Sequence, residues 1–211
     1  MKIINPSYEI LTPISEGGVA ELQAIERAAR TCYRSEDKAT PDGESAKKMA
    51  AMLIKRGHEA MLEHGQLSVR FVCDRGISHE LVRHRLAAFA QSSTRWCNYS
   101  GGKFGNEITV IKPCFFREGT PAYEIWADAC ACCEESYFAL LAEGRKPEEA
   151  RSVLPNSLAT TIVVTANWRE WRHILRLRTA NDAHPQMCEL MRPLLAELKA
   201  KVPILFDDIG G

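Results

Sequence analysis

Residues 66–95 read QLSVRFVCDRGISHELVRHRLAAFAQSSTR, and the hydrophobic period changes partway along them. Leu67, Val69, Phe71 and Cys73 alternate with Ser68, Arg70 and Val72, a period of two that marks a strand with one buried face. From about Ile77 to Phe89 the apolar residues recur at three and four, which predicts a helix. A strand feeding a helix in this way points to a mixed fold.

Outward from this stretch the pattern keeps alternating in type. On the N-terminal side, residues 17–33 space Val19, Leu22, Ile25, Ala29 and Cys32 as a helix, and residues 45–56 form a second one ended by Gly57. On the C-terminal side, Ile108 and Val110 suggest a short strand. Thr120-Pro121 then opens a long helix whose stripe is Trp126, Ala129, Cys133, Tyr137 and Leu140, stopped by Gly144. Residues 158–165 alternate as a strand. Asn167 with Glu170 has capping-box spacing and starts a helix to about Arg178, and a last helix falls near residues 185–199. The expectation is an α+β chain, a single domain over residues 1–211 with a central, mostly antiparallel sheet packed by helices.

At 211 residues, 45% hydrophobic and 26% charged, the chain can bury a core unaided. Basic and acidic residues are equal at 27 each, so no global positive field exists to support nucleic-acid binding, and any anionic ligand must be met by local arginines. No apolar run reaches the roughly 18 residues of a membrane span, and no secretory signal opens the chain. A cytoplasmic protein is expected. Eight cysteines occur, three of them (Cys130, Cys132 and Cys133) together on the long helix that Thr120-Pro121 opens, where one helix cannot aim all three sulfurs at a single ion, so no metal is expected and the thiols read as reduced.

Two helical segments place arginines oddly. Over residues 77–91 an apolar arc runs from Ile77 and Leu81 to Leu86 with Arg85 inside it, while Glu80, Arg83, His84 and Gln91 share the other side. Arg85 then requires an anionic partner, a subunit contact or a route for its head to reach water. Over residues 168–178, Trp168, Trp171, Ile174, Leu175 and Leu177 form one arc, with Arg169, Arg172, His173 and Arg176 opposite. Arg178 lands in the apolar arc. Two separate segments with an arginine in the buried stripe imply a shared anionic site. Between them, Gln91-Ser92-Ser93-Thr94-Arg95 offers hydroxyls, amides and a guanidinium, the donors a phosphate monoester needs, although serine-rich ends are also common turns.

The run RHRLAAFAQSS from Arg83 to Ser93 resembles the signature of flavin-dependent thymidylate synthases. The likeness continues in GHEAMLEH (57–64), TRWCNYS (94–100), EARSVLPNSLAT (149–160), TANWREWRHILRLRT (165–179) and AHPQM (183–187). The resemblance implies FAD contacts at His58, Arg83, His84, Arg85, Gln91, Asn167, Arg169 and His173. It implies dUMP contacts at Glu80, Leu81, Val82, Arg83, Gln91, Ser92, Ser93, Thr94, Arg95, Arg151 and Arg178. It further implies a homotetramer with sites built from more than one subunit. This sequence departs from many members in carrying Ala60 where a hydroxyl is frequent, Ala88 and Ala90 inside the signature, and Gln91 where glutamate is common.

The reaction so implied adds a methylene from 5,10-methylenetetrahydrofolate at carbon 5 of dUMP and reduces it to the methyl of dTMP. No side chain supplies a hydride, so FAD reduced by NADPH is the expected carrier. Arg178 is the expected catalytic residue, stabilising negative charge on the pyrimidine. Ser93 reads as a phosphate ligand, since no base stands beside it to make it a nucleophile. Two other readings compete: a flavoprotein oxidoreductase without methyl transfer, and an RNA-binding protein using Trp96, Tyr99, Trp168 and Trp171 for stacking. The zero net charge and the placement of Trp168 and Trp171 in an apolar arc weigh against the second.

Overall fold

The computed structural model describes residues 1–101 and 105–210. In chain order the elements are β1 (Lys2–Ile4), β2 (Ser7–Ile10), α1 (Val19–Thr31), α2 (Glu44–Lys55), β3 (Gln66–Asp74), α3 (Arg75–Leu81) and β4 (Ala88–Gln91). They continue with β5 (Thr109–Ile111), α4 (Pro121–Ala142), α5 (Pro147–Ala150), β6 (Ala159–Asn167), α6 (Trp168–Arg178), α7 (Pro185–Lys201) and α8 (Pro203–Phe206). Helix and strand are mixed as the alternating periods predict, and the class is α+β. β2, β3, β6 and β4 hydrogen-bond in that order into a small antiparallel sheet, while β1 pairs with β5 in parallel, Lys2 opposite Thr109 and Ile4 opposite Ile111.

The chain gathers into two units, with β3 and β6 each contributing one half to either. The first comprises Met1–Ser7, Phe71–Arg83 and Phe89–Val163. Its core joins Ile108 and Val110 to Cys130 and Tyr137 of α4, with Ala150 and Leu158. Helix α4 starts where Thr120 Oγ1 accepts from the Tyr123 amide, with Pro121 already in a helical φ. Its buried face keeps Trp126, Tyr137 and Leu140 of the expected stripe, with Cys130 buried in place of the exposed Ala129. On the same helix the Glu134 carboxylate accepts from the Ile108 amide at 2.8 Å and pairs with the Met1 ammonium at 3.0 Å.

The second unit comprises Tyr8–Arg70, His84–Ala88 and Val164–Gly211. Here α1 packs on α2 through Leu22, Ile25 and Ala29 against Ala46, Ala50 and Leu53, and α6 packs on α7. Trp168 and Trp171 of α6 are 1% and 0% exposed, and the Trp171 indole donates to the Leu67 carbonyl at 2.8 Å. Truncating either to alanine removes a large buried ring and costs about 3–5 kcal/mol. Gly65 is required beside Trp168, since a Cβ there would collide with the indole nitrogen. Gly18, at φ 67 before α1, is fixed twice: the left-handed backbone favours glycine, and a Cβ would sit 2.5 Å from Val202.

The structure corrects three expectations. The helix expected over 77–89 is only α3, Arg75–Leu81, started by Asp74 accepting from the Ile77 amide at 2.7 Å. Residues 88–91 are the strand β4 instead, and Ser92 extends the ladder, its amide donating to the Thr161 carbonyl at 2.9 Å. Ala88-Phe89-Ala90-Gln91 satisfies a period of two as well as the helical one, and a waiting strand edge decides between them. Arg85 therefore lies in no apolar arc. It is exposed, as is Arg83, with His84 buried between them. On α6, Arg172 is fully buried and not on the polar face, whereas Leu177, expected in the apolar arc, is 49% exposed. Arg172 tolerates burial because Asp208 meets it with two contacts of 2.7 Å, the Leu205 carbonyl accepts from it, and Glu59 lies 3.4 Å away.

Candidate functional site

In the second unit the turn after α3 brings His84 against helix α6. The Arg178 Nε donates to His84 Nε2 at 3.0 Å, although 94 residues separate them. A guanidinium only donates, so Nε2 carries the lone pair and the ring proton sits on Nδ1, which faces Glu170 Oε1 at 3.5 Å. His173 packs edge-on to His84 with ring centroids 5.8 Å apart. Burial, then the charges of Arg178 and His173, push the His84 pKa down to about 4, so the ring is neutral near pH 7. Burial also raises the Glu170 pKa, against the opposing pull of His173 and Arg169.

Helix α6 is placed for this by its cap. Asn167 Oδ1 accepts from the Glu170 amide at 2.8 Å, which is the forward half of the expected capping box. The Glu170 carboxylate faces His84, and both side chains are nearly buried, at 6% and 5% exposure.

Beside this group opens a polar cavity of about 460 Å³ lined by Glu59, Glu63, Leu86, Asn167, Arg169, Glu170, His173 and Arg176. Three expected FAD contacts, Asn167, Arg169 and His173, share it. Arg169 is paired with Glu63 at 2.6 Å, and Arg176 with Asp208 at 3.1 Å. His58 lines a different recess of about 440 Å³ between α1 and α2, with Cys32, Tyr33, Met49, Met52, Leu53, Arg56, Ala60 and Met61. Its apolar walls suit a flat aromatic ring, and the amide and guanidinium donors of the polar cavity suit the hydroxyls and phosphates of a dinucleotide. Donors of this kind suit FAD, with the carboxylates Glu59, Glu63 and Glu170 lining the same cavity.

Among the described residues, His84, Glu170 and His173 form the group spaced for a metal ion, with ligand atoms within 4.8 Å of one another. The fixed charge of Arg178 on Nε2 opposes a cation there, and metal ligation through Nδ1 would need the ring proton moved to Nε2, against the arginine. The trio is better read as a polar group packed around the His84 ring.

The first unit holds most of the expected dUMP contacts. Gln91 Nε2 donates to Ser78 at 2.9 Å and Thr160 at 3.1 Å, and Ser92 Oγ lies 3.0 Å from the Thr160 hydroxyl. Arg75 reaches the same Thr160 at 3.3 Å. Arg151 approaches the Thr94 hydroxyl at 3.5 Å across 57 residues. Ser93 turns the chain, its carbonyl accepting from the Trp96 and Cys97 amides, and its hydroxyl accepts from the Arg95 amide at 3.2 Å. Arg95 pairs with Glu148 at 2.9 Å and lies over the exposed Trp96 ring, 5.1 Å from its centroid. Glu80, Leu81, Val82 and Arg83 close α3, and the Leu81 side chain is in the interior at 1% exposure. Arg178 belongs to the second unit, as do His84 and Arg85.

Sequence reasoning missed Ser78, Thr160 and Arg75, which carry no local motif and acquire their place through sheet pairing. It also missed Glu170 as more than a cap. Its spacing of three from His173 on one helix face was the available signal.

The sequence profile described as Thymidylate synthase complementing protein matches residues 19–204. A flavin-dependent thymidylate synthase of Corynebacterium aurimucosum is 34% identical over 92% of this chain and 82% of its own length. One from Geobacter sulfurreducens is 33% identical over 89% and 81%, and one from a Mycobacterium species (strain JLS) is 31% identical over 92% and 81%. The profile spans nearly every element from α1 to α8, and the signature histidine and the α6 arginine meet in space, so this chain belongs to the thymidylate synthase complementing protein family, that of the flavin-dependent thymidylate synthases.

Proposed function

We propose that the chain converts dUMP to dTMP by reductive methylation, with 5,10-methylenetetrahydrofolate as the one-carbon donor and NADPH as the source of electrons. Bound FAD supplies the hydride chemistry that side chains lack. His58, Arg83, His84, Arg85, Gln91, Asn167, Arg169 and His173 would hold it. The observation that carries the reading is the 3.0 Å contact of Arg178 with the signature residue His84.

Arg178 binds the pyrimidine and stabilises negative charge developing at its imide nitrogen and neighbouring oxygen, which raises electron density at carbon 5. Ser92, Ser93, Thr94, Arg95 and Arg151 bind the phosphate with hydroxyls and guanidinium groups. Glu80, Leu81, Val82, Arg83 and Gln91 complete the dUMP contacts, Leu81 through its backbone. His84, neutral at physiological pH, orients and accepts without contributing charge. The chain works as a homotetramer on small molecules in the cytoplasm, without nucleic acid, metal or membrane. No described helix is long and apolar enough to cross a bilayer.

Purified chain should show a flavin absorption spectrum when supplied with FAD and should form dTMP from dUMP, methylenetetrahydrofolate and NADPH. Absence of both flavin binding and dTMP under these conditions would overturn the assignment.

A further inference from the structure

We infer that Glu170 is a positioning residue for Arg178, acting through the ring of His84. The inference rests on the reading of Arg178 as the residue that contacts the pyrimidine. A neutral imidazole has two tautomers, and only the one protonated at Nδ1 can accept from a guanidinium at Nε2. Glu170 Oε1 lies 3.5 Å from Nδ1, and Arg178 Nε lies 3.0 Å from Nε2, so the acid and the base select the same tautomer from opposite sides of the ring. Both partners of the first contact are nearly fully buried. Burial makes the Glu170 charge costly, and the Nδ1 edge of the ring faces it at 3.5 Å, the long end of hydrogen-bond range.

A contact through Nε fixes the plane in which the two η nitrogens of an arginine lie, so the tautomer of His84 sets the orientation of the Arg178 fork. The order is acid, imidazole, guanidinium, substrate, and of the three side chains only the guanidinium touches the pyrimidine. The carboxylate is held in turn by the α6 cap, since the Glu170 amide is anchored to Asn167. His173 and Arg169 are the charged or titratable neighbours that act on Glu170 from the same helix.

The test labels histidine with nitrogen-15 in the full chain, with and without added FAD, and assigns His84 by its absence in His84→Asn. Long-range proton–nitrogen spectra then read the tautomer in wild type, Glu170→Leu and Glu170→Gln, and steady-state kinetics give kcat and the dUMP KM for each. In wild type, Nδ1 should be protonated and Nε2 bare. Glu170→Leu removes one of the two contacts that select the tautomer and should populate the Nε2–H form in part, with kcat down about 10- to 100-fold and KM changed less, as expected when a reacting group is misplaced. Glu170→Gln keeps an acceptor oxygen and should keep both tautomer and turnover near wild type. A purely structural glutamate would alter stability and leave the tautomer unmoved. A wild-type ring protonated at Nε2, or unchanged kcat in Glu170→Leu, would overturn the inference. A wild-type chain that makes no dTMP would overturn the functional reading instead, and the ring spectrum would still decide whether Glu170 selects the tautomer.

Discussion

Arg178 has its Nε bound to a neutral ring and not to a carboxylate, so its positive charge is not neutralised through that contact. Replacing it with alanine should lower kcat by about 10² to 10³, the cost of deleting one preorganised donor at developing charge, and steady-state turnover measures it. The buried state of His84 has a second consequence. Unfolded histidine titrates near 6.5 and the folded ring at about 4. Between those values the unfolded chain takes up the proton more readily, so stability present above pH 6.5 is lost as pH falls toward 4. Urea unfolding at pH 7 and pH 4.5 should show wild type losing up to about 3 kcal/mol more than His84→Asn. Arg178 was legible in the sequence because it interrupts an apolar stripe. Arg172 was not, because Asp208 and the Leu205 carbonyl, which make its burial tolerable, lie far along the chain.

Elements whose signals are local were the readable ones. The Thr120-Pro121 start of α4, the Asn167 cap of α6 and the alternation of β3 need only neighbours in sequence. The span from α3 to β4 was misread because four residues that fit either period took the one offered by a sheet partner. The signature arginines were therefore found for the right motif on the wrong geometry: they flank a buried histidine in a turn, not opposite faces of one helix. The C-terminal helix α8 is tied down by a comparable long-range device. Asp208 binds both Arg172 and Arg176, and these bonds hold its carboxyl pKa below the usual value. Asp208→Ala should destabilise the chain by about 2 kcal/mol, within the range for hydrogen bonds to charged groups, because Leu205 and Glu59 still serve Arg172. Chemical denaturation at neutral pH reads this difference.

For the whole molecule, α+β class and family were accessible from sequence, but the strand order β2, β3, β6, β4 was not, since ladder partners are chosen by contacts between distant residues. The equal count of acids and bases leaves recognition of an anionic substrate to local arginines, and Arg95, Arg151 and Arg178 are the ones proposed for it. The homotetramer proposed for this chain predicts a solution mass of four times 23.6 kDa, which light scattering on the eluting peak measures. A stable monomer would separate this protein from the subunit-shared arrangement.

The burial of tryptophan gives the chain an optical probe of its own. Trp96 is 78% exposed, so a water-borne collisional quencher such as iodide darkens it, while the sealed indoles of Trp168 and Trp171 keep emitting. Those two residues flank Arg169 in the sequence, next to the cavity assigned to a chromophore that absorbs in the range where indoles emit. Iodide, which also reaches the half-buried Trp126 in part, therefore weights the emission toward these two indoles, and its loss through energy transfer would follow cofactor loading without any attached dye.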